Sequence, residues 1–271
     1  MGNNIALIAG EGSLPAVIAS RLTEMGRPPV IYSLRESAGV LHKYALAIVN
    51  LAKPDLGFAI NDMKSRGVNS IIMAGTVSKT LIFKPALFDF TTQKFLAGLL
   101  FRDDHSILGA VVDFFEKQGL KVLSYRDIVP DLLASPGYIA GRQATRGELE
   151  DAEYGFKVCK ITTPLSFGQT VVVKKRAVVA VEAMEGTDAT LLRAGSLCRG
   201  GTVTKMMRLD QDERYDIPTV GPGTLRNMAA AKLSCLALHA GWALIMEKEE
   251  FMEIAASEKI AVIGVEPCQS S

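Results

Sequence analysis

The apolar run Ile5–Ala9 ends at Gly10, apolar residues then recur at helical spacing (Leu14, Val17, Ile18, Leu22, Met25), and a second apolar run, PVIYS at 29–33, follows Gly26. A strand without polar alternation is covered on both faces, and strand, helix and strand in such close succession form a βαβ crossover, which requires parallel strands. Ser13 can cap the helix, and Pro15 suits its first turn. The alternation continues with a helix near Asp55 to Arg66 and a strand at Ser70 to Ala74 that runs into the loop GTVSK, 75–79. A helix follows through Ile107, Leu108, Val111, Val112 and Phe115, stopped by Gly119 before a last strand at 121–123. Residues 1–130 therefore read as a Rossmann-like, doubly wound parallel sheet.

A chain of 271 residues exceeds one ordinary domain. Residues 126–150 carry scattered prolines, glycines and charges, and we place a linker at 131–150. From 151 to 271 the pattern changes to a second α/β domain. Two β-branched runs, 169–173 and 177–183, flank Lys174 to Arg176 and predict a hairpin. A strand near Thr202 to Met207, a helix from Thr224 to Lys232, short apolar runs at 234–238 and 243–246, a helix from Glu249 and a strand at Ile260 to Val265 complete it.

The net charge of +1 gives no excess with which to neutralise phosphates along a nucleic acid, so nucleic acid is not an expected partner. Cys159, Cys198, Cys235 and Cys268 form no CxxC pair, which argues against a zinc site and a disulfide framework and suits a reducing compartment. MGNNIALIAGEG has no basic region ahead of its apolar run, and the run is too short for a signal sequence or a span, so a cytoplasmic protein is expected.

In doubly wound sheets ligands bind beyond the carboxyl ends of the strands, where GEGSLP and GTVSK lie. Gly10 and Gly12, with Ser13 and Leu14 opening the helix, can bring backbone N–H groups to a phosphate. A tight turn without ligand explains the glycines equally well. Pro15 stands where the dinucleotide fingerprint wants a small residue, and Ser33 where it wants a ribose-binding acid, so NAD(P) is disfavoured. Gly75, Thr76 and Val77 lead to Lys79, which can hold a phosphate as a point charge or simply be solvated. Five phenylalanines, Phe83, Phe88, Phe90, Phe95 and Phe101, follow directly and offer an apolar wall or core packing.

The acids are more informative. Glu182, Glu185 and Asp188 leave a strongly apolar strand around Gly186 and Thr187, where a helix must begin, and they suit either a hard cation or the helix N-terminus. Asp210, Asp212 and Asp216 interleave with Arg208 and Arg214, a mixture of metal-type ligands and phosphate-binding guanidiniums that is also compatible with a solvated loop. Mg2+ is the natural cation for such ligands. GxSxG and HExxH are absent, which leaves metal-assisted attack by water.

In their order along the chain, IAGEGSLP, MAGTVSK, FRDDHSILGAVVDFFEKQG, VVAVEAMEGTDATLLRAG and QDERYDIPTVGPGT resemble the UDP-2,3-diacylglucosamine pyrophosphatases of the LpxI family, nearly end to end. The resemblance implies Mg2+-dependent cleavage of an amphipathic nucleotide-sugar lipid into UMP and 2,3-diacylglucosamine 1-phosphate for lipid A synthesis, with substrate held between two domains. It implies Asp212 and Asp216 at the metal or the attacking water, Glu185 and Asp188 completing an acidic wall, and Arg214 and Lys79 on the pyrophosphate. A homodimer and peripheral contact with the inner membrane are compatible with it. The alternatives from the residues alone are a non-catalytic nucleotide-binding regulator and an NAD(P)-dependent oxidoreductase.

Overall fold

The computed structural model describes residues 4–35, 37–51, 55–77, 90–97, 104–208, 212, 214 and 217–266, with backbone only at 90, 94, 96, 97 and 104–107. The chain divides into two compact units, Met1–Pro130 with Asp212–Asp216, and Asp131–Gln211 with Ile217–Ser271.

The first unit is built on β1 (Asn4–Ala9), β2 (Val30–Ser33), β3 (Ala47–Asn50), β4 (Val68–Ala74) and β5 (Lys121–Val122). They form one parallel sheet in the order β3-β2-β1-β4-β5, the doubly wound arrangement expected. Its helices are α1 (Leu14–Glu24), α2 (Leu56–Ser65), α3 (Phe90–Ala97) and α4 (Asp104–Lys117). Ala6, Tyr32, Ile71 and Met73 of the sheet share a core with Ile60 and Met63 of α2 and Val112 and Phe115 of α4. Ile5 and Leu7 alternate to the opposite face, where α1 buries Ile18 and Leu22. Burial on both faces is why β1 and β2 read as unbroken apolar runs. The four-residue β3, with only Val49 buried, is too short and too exposed to give such a signal.

The second unit holds β6 (Gly137–Ala140), α5 (Arg146–Thr162), β7 (Thr170–Lys174), β8 (Ala177–Val181), α6 (Gly186–Leu197), β9 (Thr202–Lys205), β10 (Thr219–Val220), α7 (Pro222–Ala230), β11 (Cys235–His239), β12 (Leu244–Ile245), α8 (Lys248–Ser257) and β13 (Ala261–Val265). Its main sheet runs β6-β13-β11-β9-β7-β8, and β10 and β12 pair apart from it. Strands β9, β11 and β13 are parallel, while β6 and β7 run against their neighbours. One face packs Leu191, Leu225, Met228 and Phe251 from α6, α7 and α8. The other packs Ala152, Phe156 and Cys159 of α5. The segment expected as linker thus supplies an edge strand, β6, and the start of α5. The predicted hairpin is β7–β8, turning through Lys175 and Arg176 at φ of 51° and 59°. Both turn amides donate to buried Asp151 of α5, at 3.0 and 2.6 Å, which holds a left-handed turn without glycine.

Candidate functional site

In the first unit the chain leaves β1 toward β2 and β4 toward β5, so the carboxyl ends of β1 and β4 flank the switch point where open α/β sheets bind ligands. The two loops there are tied to each other. Glu11 N–H donates to Thr76 O at 2.8 Å, Thr76 N–H to Glu11 O at 3.0 Å, and Gly10 N–H to Ala74 O at 2.8 Å. This contact explains two of the glycines: a Cβ on Gly10 would lie 2.6 Å from Thr76 O, and one on Gly75, at φ +88°, 2.6 Å from Glu11 O. Gly12, Ser13, Thr76 and Val77 are exposed, whereas the Leu14 side chain is buried and leaves only its backbone for a ligand. Ser13 stands at the N-cap of α1 without a side-chain capping bond. Arg35, two residues beyond β2, completes the corner: Nε donates to Gly10 O at 2.6 Å and Nη2 donates to Gly12 O. Lys79, the expected cation of the second loop, lies outside the described residues, as do Phe83, Phe88 and Phe101. Phe95 packs on Phe114, ring centroids 5.3 Å apart.

The DERYD segment belongs with the first unit rather than with the residues that flank it in sequence. Arg214 donates from Nε to both oxygens of Asp212 at 2.8 Å, from Nη2 to Oδ2 and from its backbone N–H at 3.0 Å. Nη1 reaches Glu116 Oε1 of α4 at 2.5 Å. The hydrogen bonds and charge of Asp212 raise the pKa of Arg214, so the guanidinium stays ionised. Asp216 and Asp210 lie outside the described residues.

In the second unit the carboxyl ends of β8, β9, β11 and β13 share one sheet edge with the start of β7. The EGTD segment sits there. Lys205, at the end of β9, donates to Thr187 Oγ1 at 2.9 Å; an ammonium only donates, so the Thr187 hydroxyl in turn donates to Glu182 Oε1 at 3.0 Å. Thr170 Oγ1 lies 3.4 Å from the same hydroxyl. The second oxygen of Glu182 is buried and accepts no hydrogen bond among the described residues. Glu185 is placed differently. It accepts from Arg193 Nη2 at 2.6 Å, Thr190 Oγ1 at 3.2 Å and Ala183 N–H at 3.2 Å, and a backbone hydrogen bond followed by the Arg193 guanidinium lowers its pKa. Glu185 therefore anchors the start of α6, where Gly186 lies and Asp188 is exposed in the first turn.

A family model described as the LpxI N-terminal domain matches residues 4–132, and one described as the LpxI C-terminal domain matches residues 135–263. The chain belongs to the LpxI family. A curated relative from Caulobacter vibrioides, named UDP-2,3-diacylglucosamine pyrophosphatase LpxI, is 29% identical over 276 residues, which cover 97% of this chain and 98% of the relative. CobK precorrin-6A reductase, a solved structure, covers 100% of this chain and 90% of its own at 11% identity with a TM-score of 0.30, a likeness too slight to bear on fold or function.

For this LpxI chain the donor set of the two acidic segments is carboxylate oxygen, the chemistry a hard cation takes. Among the described residues no three such groups converge on a metal position, and Asp212 gives both oxygens to Arg214. Arg35 and Lys205 were not singled out from sequence. Lys205 ends a β-branched strand, TVTK, and lies 9% exposed, as Arg208 lies 7% exposed, an arrangement costly enough for cations to have been a signal. Among the described residues no helix is long and apolar enough to cross a membrane.

Proposed function

We propose that this chain hydrolyses the diphosphate bond of UDP-2,3-diacylglucosamine, with Mg2+, to UMP and 2,3-diacylglucosamine 1-phosphate in lipid A synthesis. The observation that carries this reading is the end-to-end match to a relative of that name, with EGTD and DERYD both present. Water adds across P–O–P: one phosphorus gains the oxygen of water, the bridging bond breaks, and the water gives up a proton. Bound Mg2+ would neutralise developing charge and acidify water. Asp212 and Asp216 are its proposed ligands, with Arg214 and Lys79 on the phosphates, Glu185 and Asp188 in the acidic wall, and the loops Gly10–Leu14 and Gly75–Val77, with Gly186 and Thr187, around the substrate. Of these, Arg214 is held ready as a charged planar donor by two carboxylates, which suits a guanidinium that later transfers to phosphate oxygens. NAD(P) gains no support, since Arg35 is turned back onto the loop carbonyls at the place where a ribose would be read. The assay is purified protein with UDP-diacylglucosamine and Mg2+, with and without chelator. UMP release that the chelator stops is expected; no UMP, or an unchanged rate in both Asp212→Ala and Asp216→Ala, refutes the reading.

A further inference from the structure

We propose that Glu116 is a positioning residue for Arg214, fixing the guanidinium to the core of the first unit so that it meets the substrate phosphates in one place. The role deepens the function proposed above and rests on it for the contact between Arg214 and phosphate. The bonds from Arg214 to Asp212 join residues two apart, so they orient the guanidinium only within its own segment. Glu116 lies 98 residues away in sequence, in the last turn of α4, and its Oε1 accepts from Nη1 at 2.5 Å. Among the described residues this is the bond through which the Arg214 side chain reaches a helix or strand of the first unit. The anchor is firm, because the neighbouring Phe115 is 1% exposed and packs with Val112 in the core of the parallel sheet.

Local stability does not account for a carboxylate at this place. An acid in the last turn of a helix opposes the macrodipole, and an ion pair whose side chains are 41% and 30% exposed gains little over water. The two effects are similarly small and opposite in sign, so the pair leaves the stability of the fold nearly unchanged. What it changes is geometry. Asp212 takes one N–H of Nε and one of Nη2, Glu116 takes one of Nη1, and a guanidinium carries five. Among the described residues one N–H on each terminal nitrogen is thereby left over, and two coplanar donors suit two phosphate oxygens. Without Glu116 the guanidinium is drawn onto Asp212 alone and moves with its segment.

The test measures Glu116→Gln, Arg214→Ala and the double variant against wild type, with Arg226→Ala as a surface control. UMP release gives KM and kcat, calorimetry with chelator present gives the UDP Kd without metal, and melting temperature reports folding. The expected result for Glu116→Gln is a KM raised about fivefold or more, a UDP Kd weakened by a similar factor, and a melting temperature within about 3 °C of wild type. Because Glu116 acts through Arg214, the double variant should bind UDP no more weakly than Arg214→Ala alone. Unchanged KM and Kd in Glu116→Gln, effects that add in the double variant, or a melting temperature lowered by more than about 3 °C overturns the inference. If Arg214→Ala does not fold, Arg214→Lys takes its place, since an ammonium lacks the planar fork. If wild type releases no UMP, the proposed reaction fails, while UDP binding still judges Glu116: equal affinity in wild type and Glu116→Gln, or no binding by wild type, overturns its positioning role.

Discussion

Replacing Glu148 with glutamine removes the most heavily bonded carboxylate among the described residues of the second unit. Glu148 caps α5 in a capping box with Thr145, whose N–H donates to it at 2.9 Å and whose hydroxyl lies 3.0 Å away. It also accepts from Arg142 at 2.8 and 2.6 Å and from the Ser234 hydroxyl at 2.6 Å, which ties α5 to the residue before β11. Burial alone would raise its pKa, but these donors outweigh it and hold the carboxyl at about 2 against an ordinary 4.5. That difference corresponds to roughly 3 kcal/mol of stability at neutral pH, within the range for breaking a buried pair. Because the folded pKa is depressed, the contribution is complete above about 4.5 and is lost as pH falls toward about 2. Glutamine keeps the shape but turns an amide N–H toward Arg142. Thermal unfolding at pH 7.5 should show Glu148→Gln lower by about 10 °C. The gap between wild type and variant in urea unfolding should narrow between pH 5 and pH 3. A shift under about 3 °C, or a gap that stays constant as the pH is lowered, refutes the account.

Three further outcomes follow from packing and burial. Gly155→Ala puts a Cβ 2.2 Å from the buried Thr204 Oγ1 and should cost about 1–3 kcal/mol in urea unfolding; adding Thr204→Ala, which removes a hydroxyl without a hydrogen-bond partner, should recover part of that loss. Gly75→Ala, with its left-handed φ and a contact to Glu11 O, should destabilise the first unit by about 2 kcal/mol and raise KM for UDP-diacylglucosamine, read by denaturation and kinetics together. Burial pushes the thiols of Cys159 and Cys235 up to about 12, so both should resist a thiol reagent at pH 8 in the native protein and react only on unfolding.

The elements legible in sequence are those whose side chains carry the pattern alone. Strands β1, β2 and β4 are apolar on both faces, and the hairpin β7–β8 is β-branched on both arms. Helix α5 escaped because its buried stripe includes Glu148, Asp151 and Gly155, residues that mark solvent or breakage unless their partners are known. Those partners, Arg142, the turn amides of Lys175 and Arg176, and Thr204, come from elsewhere in the chain. The same limit applies to the candidate site. Spacing brings out EGTD as an acidic segment, but it does not say that Arg193 occupies Glu185 while Glu182 meets Thr187 and, through it, Lys205. Arg35 leaves no pattern at all, since it binds carbonyls, which every residue has.

Two of the proposed acids are thus already engaged by guanidiniums, Glu185 by Arg193 and Asp212 by Arg214. A cation at Asp212 must compete with a planar donor that contacts both oxygens. Glu116 changes the balance of that competition, because Arg214 also bonds to it and can leave Asp212 without becoming an unpaired charge. An Asp212→Asn variant would therefore confound two effects, loss of a metal ligand and release of Arg214. Glu116→Gln separates them, since it removes the alternative carboxylate of Arg214 and leaves Asp212 itself unchanged. If Asp212 acts mainly as a ligand, Glu116→Gln should raise the Mg2+ concentration needed for half-maximal rate, as Arg214 is held more tightly on its one remaining carboxylate. If Asp212 acts mainly by aiming Arg214 at phosphate, Glu116→Gln should alter KM for the nucleotide lipid and leave the metal requirement as it was.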